Sequence, residues 1–219
     1  WTRADSRENK RMKSHARVVV IGGGVVGVST LYHLTKKGWS DVVLLERTEL
    51  TAGSTWHAAG LLPLFNMSYT VGQLHKYSVD LYKRLPAETG QDVSFHVTGN
   101  LRLATCRDRM DEYKKYCGTA NTIGVPFQLI SPAEVKELWP LVNLGGDADT
   151  PAVIGALYHP DDGHIAPADL TMALRRAARS AGAEINEQTE VTGAVQMPSG
   201  EWKLTTNRGE ITAEHVVLC

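Results

Sequence analysis

The chain has 219 residues, with 23 Lys and Arg against 24 Asp and Glu, a length that suits one large or two small domains. Because charges of both signs are interspersed, we expect neither nucleic acid nor an anionic membrane as a partner. The sequence contains no apolar run near the roughly 20 residues that cross a bilayer. Its three cysteines form no C-x-x-C pair, which predicts free thiols in a reducing compartment.

The first and the last residues of the sequence each support a prediction. Residues 1–16 are polar and carry both signs of charge, so we expect a flexible N-terminal extension and not an acid-poor transit peptide. This favours a bacterial cytoplasm, with the mitochondrial matrix as the alternative. The sequence stops inside the apolar run 215–219, which predicts the N-terminal part of a longer protein. On that expectation, these residues alone would not turn over a substrate.

A β-α-β unit opens the chain. The β-branched run 17–21 predicts a strand that is buried on both faces of a parallel sheet. Residues 25–37 predict a helix, which Gly38 ends, and residues 41–46 predict a second buried strand.

Helices and strands alternate in the rest of the chain, which predicts the α/β class. The segment 51–60 is rich in small residues and predicts a loop that enters a short helix. The layout predicts a nucleotide-binding domain built from residues 17–64 and 161–219, with 65–160 as an inserted substrate-side segment. We expect helices over residues 70–89, 108–122, 132–139 (after a capping box at Ser131 and Glu134) and 167–180, and strands over residues 97–105, 191–195, 202–206 and 210–212.

A glycine fingerprint lies between the first strand and its helix. Gly22 permits a tight turn, Gly24 lets a pyrophosphate approach the backbone, and Gly27 lets helix and strand pack closely. Glu46 follows 22 residues after Gly24, where an acid accepts hydrogen bonds from a ribose diol. The pattern predicts dinucleotide binding and disfavours NADP, but it leaves NAD and FAD open. The alternative is a glycine-rich turn in an unrelated α/β fold.

The segment 51–60, Thr-Ala-Gly-Ser-Thr-Trp-His-Ala-Ala-Gly, closely resembles the flavin-contacting segment of the dimethylglycine and sarcosine dehydrogenase family. The resemblance extends over residues 17–219 and includes residues 100–105, 162–165 and 170–174, with dimethylglycine dehydrogenase the nearer of the two. It implies an α/β fold: a Rossmann-type FAD-binding domain with a parallel sheet and a β-meander, plus the start of an inserted α+β substrate-side domain.

The same resemblance implies the site residues. In that family the histidine of the Trp-His-Ala-Ala-Gly segment is joined covalently to the flavin 8α-methyl group, which assigns this role to His57; the alternative is noncovalent FAD. The other histidines lack metal-ligand spacing, so we expect no metal. The expected cofactor-binding residues are Gly22, Gly24, Val25, Val26, Gly27, Glu46, Arg47, Gly53, Ser54, Thr55, His57, Ala58 and Val191.

The activity implied by the resemblance is the oxidative N-demethylation of dimethylglycine or sarcosine, with a hydride equivalent passing to flavin N5. It also implies an electron-transfer flavoprotein or oxygen as acceptor, and tetrahydrofolate in a region beyond this chain. We identify no catalytic residue in this portion. The alternatives are another FAD amine or amino-acid oxidase, a noncatalytic relative such as the regulatory subunit of pyruvate dehydrogenase phosphatase, and an NAD-dependent dehydrogenase, which the segment at His57 disfavours.

Overall fold

The computed structural model describes residues 12–219, and the first eleven residues of the expected N-terminal extension lie outside this range. The described chain divides into two compact units. Unit 1 comprises residues 12–58, Glu88–Gln91 and Pro167–Cys219, and unit 2 comprises Ala59–Ala87 and Asp92–Ala166. The assignment of a cofactor-binding and a substrate-side domain stays a prediction.

The secondary-structure elements follow the alternation that the sequence predicts. In chain order they are β1 (His15–Ile21), α1 (Val25–Lys36), β2 (Val42–Leu45), a 3-10 helix (Ser54–His57), β3 (Leu61–Leu62), α2 (Tyr69–Thr89), β4 (His96–Val97), β5 (Asn100–Ala104), α3 (Arg107–Ile123), β6 (Gln128–Ile130), α4 (Pro132–Leu138), β7 (Gly155–His159), β8 (Gly163–His164), α5 (Pro167–Ser180), β9 (Glu184–Asn186), β10 (Val191–Gln196), β11 (Trp202–Thr206) and β12 (Gly209–Leu218).

Unit 1 is built on a six-stranded sheet with the order β10-β11-β12-β1-β2-β9. Strands β12, β1, β2 and β9 are parallel, and β10, β11 and β12 form an antiparallel meander. The α/β class, the parallel sheet and the β-meander are therefore confirmed. Strand β2 is buried along its whole length, as its run of Val and Leu requires. The core cluster of this sheet consists of Ala16, Val19, Val43, Leu45, Leu204, Ile211 and Ala213.

Strand β12 corrects the expectation of a short strand at 210–212 followed by a separate apolar run. Its ten residues are continuous, since no glycine or proline interrupts them after Gly209. Its first half pairs with β11, and the segment from Thr212 to Leu218 pairs with β1 in parallel register. The end of β12 therefore lies beside the glycine turn that follows β1.

Unit 2 contains two three-stranded sheets, with the orders β3-β8-β4 and β5-β7-β6, together with α3 and α4. The strand expected over 97–105 is split, because Gly99 has a φ of +71° and the chain turns there. The capping box of α4 is confirmed: the Glu134 amide donates to Ser131 Oγ, and the Ser131 amide donates to the Glu134 carboxylate. Within residues 12–219, no helix is both long enough and apolar enough to cross a membrane.

Candidate dinucleotide site

A cleft of about 520 Å³ lies in unit 1, where β1 and β2 end. Ligands of open α/β sheets bind in such a crevice, outside the carboxyl ends of the strands. Every residue of the expected cofactor-binding set lines this cleft except His57 and Ala58. The sequence analysis missed other lining residues, which are Ile21, Gly23, Leu45, Thr189, Glu190 and Cys219.

The glycine turn forms one wall of the cleft and has no room for side chains. Gly22 has a φ of +116°, and a Cβ there would lie 2.5 Å from the Cys219 carbonyl oxygen. A Cβ on Gly27 would lie 2.0 Å from the Gly22 carbonyl oxygen. Gly24 precedes α1 and provides no side-chain cap. The Val25 amide donates to Thr55 Oγ1, and the next amides of α1, those of Val26 and Gly27, are left for an anion. This bare turn fits the pyrophosphate of a dinucleotide.

Glu46 follows the end of β2, and its carboxylate forms a hydrogen bond with the glycine turn. One carboxylate oxygen accepts a hydrogen bond from the Gly23 amide at 2.6 Å. The other accepts from the amide and the hydroxyl of Thr48, at 2.8 Å and 3.1 Å. A carboxylate offers about four acceptor positions, so these three bonds leave capacity for a ribose hydroxyl. Nothing in the sequence pattern signals the contact with Gly23.

A variant separates the structural role of Glu46 from ligand binding. In Glu46→Ala the buried Gly23 amide loses its acceptor, which we expect to lower the free energy of unfolding by about 1–3 kcal/mol. Thermal and urea unfolding without added nucleotide measure this loss. Glu49→Ala is the matched control, because Glu49 is an exposed acid of the same loop. An equal loss in both variants would contradict the assigned role.

His57 is the last residue of the 3-10 helix and is exposed to solvent. Its Nδ1 lies 3.2 Å from the Gly53 carbonyl oxygen, and its ring lies against the exposed Trp56, with 4.0 Å between the ring centroids. A carbonyl only accepts, so this contact places the proton of a neutral imidazole on Nδ1. The lone pair is then on Nε2, which is the nitrogen available as a nucleophile.

Comparison with known proteins decides the family. The family model for FAD dependent oxidoreductases matches residues 17–219. The chain belongs to this family. The resemblance found in the sequence is thereby confirmed. Among solved structures, L-proline dehydrogenase from P. horikoshii has a TM-score of 0.86 and 32% identity, covering 95% of this chain and 53% of that one.

Curated relatives of this FAD-dependent oxidoreductase chain have several different names. Dimethylglycine dehydrogenase of Rattus norvegicus is 44% identical over 94% of this chain, and sarcosine dehydrogenase of Homo sapiens is 42% identical over 96%. The pyruvate dehydrogenase phosphatase regulatory subunit of Mus musculus is 36% identical over 95%. This chain spans 23% of the length of each of these three relatives.

A second group of polar side chains is buried in unit 2 of this oxidoreductase chain. His159 Nε2 lies 3.1 Å from the Tyr116 hydroxyl, and the Leu64 amide donates to Asp162 at 2.9 Å. Burial raises the pKa of Asp162 to about 6 and that of Tyr116 to about 12. Burial, and then the charge of Arg102, lowers the pKa of His159 to about 4. The sequence pattern gave no signal for this group.

Among residues 12–219, no group of three or more His, Cys, Asp or Glu side chains could hold a metal ion. His96 and His164 face each other on adjacent strands of unit 2, with 5.1 Å between their ring centroids.

Proposed function

We propose that this chain is the FAD-binding part of an enzyme that oxidises a small N-methylated glycine, dimethylglycine or sarcosine. The observation that carries the proposal is the cleft at the ends of β1 and β2, with its bare glycine turn and the acid Glu46. The identity to relatives named dimethylglycine and sarcosine dehydrogenases supports the choice of substrate.

Different residues of the cleft bind different parts of FAD. The free amides at the start of α1 bind the pyrophosphate, and Glu46 accepts from the adenosine ribose. Val191, at the start of β10, contacts the adenine side through its backbone. When bound, FAD supplies the hydride-accepting chemistry, which oxidises the N-methyl carbon of the amine. We assign no catalytic residue to this portion of the protein.

The covalent link is proposed at His57, where the lone pair of Nε2 would form a bond to the flavin 8α-methyl carbon and replace one of its hydrogens. The two electrons and two protons released would pass to the acceptor of the enzyme, oxygen or an electron-transfer flavoprotein. In His57→Ala we expect complete loss of covalent flavin, because no other group replaces the imidazole. The purified protein is precipitated with acid, flavin absorbance is read on the pellet, and the intact mass is recorded. His215→Ala, which alters an exposed histidine of β12, is the control and keeps the yellow pellet.

The outcome of this experiment also ranks the alternatives. If the wild-type pellet is colourless and the supernatant yellow, FAD is noncovalent and the wider class of FAD amine or amino-acid oxidases gains weight. Anaerobic titration of the full-length protein with dimethylglycine, sarcosine, proline and glycine then identifies the amine that bleaches the flavin. Bound flavin that none of them bleaches would contradict the proposed reaction and favour a noncatalytic regulatory relative.

The electron acceptor and the compartment belong to the same proposal. We propose an electron-transfer flavoprotein or oxygen as acceptor, and tetrahydrofolate as the carrier that captures the one-carbon product outside this chain. We propose a bacterial cytoplasm as the location. The matrix stays the alternative, which the names of the mitochondrial dehydrogenases support.

A further inference from the structure

Helix α1 receives its N-terminal cap from a distant residue. Its N-cap position is Gly24, which has no side chain to satisfy the first free amides. Thr55 Oγ1 accepts a hydrogen bond from the amide of Val25, the first residue of α1, at 2.9 Å. Thr55 is buried, whereas its neighbours Ser54 and Trp56 are exposed, so its side chain points inward toward the helix.

The space for this contact exists because residue 24 is glycine. A Cβ on Gly24 would lie 3.1 Å from Thr55 Oγ1, which is a crowded distance. The same loop is fastened further along the glycine turn, where the Thr51 amide donates to the Gly23 carbonyl oxygen at 3.0 Å. The loop after β2 is thus held against the glycine turn at two residues, Gly23 and Val25.

Backbone contacts of Thr55 and its neighbours also hold the short 3-10 helix that carries His57. The Thr55 carbonyl accepts from the Ala58 amide at 3.2 Å, and His57 Nδ1 lies 3.2 Å from the Gly53 carbonyl oxygen. Thr55 therefore holds α1 with its side chain and the turn around His57 with its backbone. Because the Val25 amide is already bonded, an anion at this helix end is left with the amides of Val26 and Gly27.

We propose that Thr55 is a positioning residue that clamps the segment 53–58 to the N-terminus of α1 and so presents His57 to the flavin. The inference rests on the proposed function, since it names how that same site orders its covalent residue. Thr55 affects flavin attachment indirectly, because it orients His57 and caps the N-terminus of α1.

Two substitutions test the clamp in the full-length protein. Thr55→Val keeps the shape of the side chain and removes the hydroxyl, whereas Thr55→Ser keeps the hydroxyl. We expect amide hydrogen exchange over residues 53–58 to rise about tenfold in Thr55→Val, as the loss of one cap allows. Covalent attachment of FAD added to the apoprotein is expected to slow by a similar factor. Thr55→Ser is expected to restore both rates.

Thr171→Val is the control for general destabilisation. Thr171 is a buried threonine of α5 whose hydroxyl also bonds the backbone, at 2.8 Å from the Pro167 carbonyl oxygen. Wild-type exchange over residues 53–58 in Thr55→Val would overturn the clamp, as would an equal rise in Thr171→Val. If the wild-type protein holds no covalent flavin, the link at His57 is wrong, and the exchange rates alone still decide whether Thr55 clamps the segment.

Discussion

Replacement of Gly27 by alanine is expected to lower the free energy of unfolding by about 3 kcal/mol or more, which is severe for one added methyl group. The new Cβ would lie 2.0 Å from the Gly22 carbonyl oxygen. Both atoms are fixed by the backbone, so no rotation of a side chain relieves the contact. Helix α1 must move away from β1, which separates the buried Val28 and Leu31 from their neighbours.

The same displacement alters the cleft, because Gly22 and Gly27 both line it. We therefore expect FAD affinity to fall together with stability. Thermal unfolding of the flavin-free protein measures the first effect, with a shift of roughly 6–12 °C, and fluorescence titration with FAD measures the second.

Gly118→Ala is the matched control for the loss of a helical glycine. Gly118 lies in α3, is exposed, and has no atom within 4 Å of the position that a Cβ would take. Alanine is favoured over glycine inside a helix, so this change is expected to stabilise the protein by up to about 1 kcal/mol. Tolerance of Gly27→Ala without loss of stability would contradict the close packing of α1 on β1.

Elements whose signals are local could be predicted from the sequence. Helix α5 begins at Pro167 and ends before Gly182, as its proline start and glycine stop indicate. The capping box at Ser131 predicts the start of α4 for the same reason, because both partners lie within one helical turn. The glycine fingerprint likewise depends on three residues that lie within a six-residue stretch, Gly22, Gly24 and Gly27. The cleft lies at this glycine turn.

Contacts between residues far apart in the sequence could not be predicted. The pairing of Thr55 with Val25 spans thirty residues, and neither residue type demands the other. The bare N-cap at Gly24 does imply that a cap must come from elsewhere, but it does not say from which residue. Asp162 is a further case, because nothing in its Asp-Asp-Gly sequence indicates that this aspartate is only 1% exposed.

The buried Asp162 is expected to have a large effect on how the free energy of unfolding depends on pH. Burial raises its pKa from 3.8 to about 6, so the folded state favours the protonated form. The stabilisation from this proton is complete below about pH 3.8 and is lost as the pH rises to about 6. A difference of about two pKa units corresponds to about 3 kcal/mol. Because the group is buried, solvent screens little of this energy.

The contribution of His159 to stability changes with pH in the direction opposite to that of Asp162, over a similar pH range. Burial lowers its pKa from 6.5 to about 4, so its contribution is complete above about pH 6.5 and is lost as the pH falls to about 4. In the wild-type protein the two groups cancel in part, since one gains stability as the pH falls while the other loses it. Removal of either group is therefore expected to reveal the dependence due to the other.

In Asp162→Asn the contribution of His159 stands alone, and stability is expected to fall steeply between pH 6.5 and pH 4. Relative to the wild type, the free energy of unfolding of this variant should rise by about 2–3 kcal/mol from pH 3 to pH 7. Urea unfolding at several pH values measures the difference, and any constant offset from the lost carboxylate cancels. His159→Gln should change in the opposite direction. Parallel stability curves for the wild type and Asp162→Asn would mean that the folded protein does not bury an ionisable carboxyl at this position.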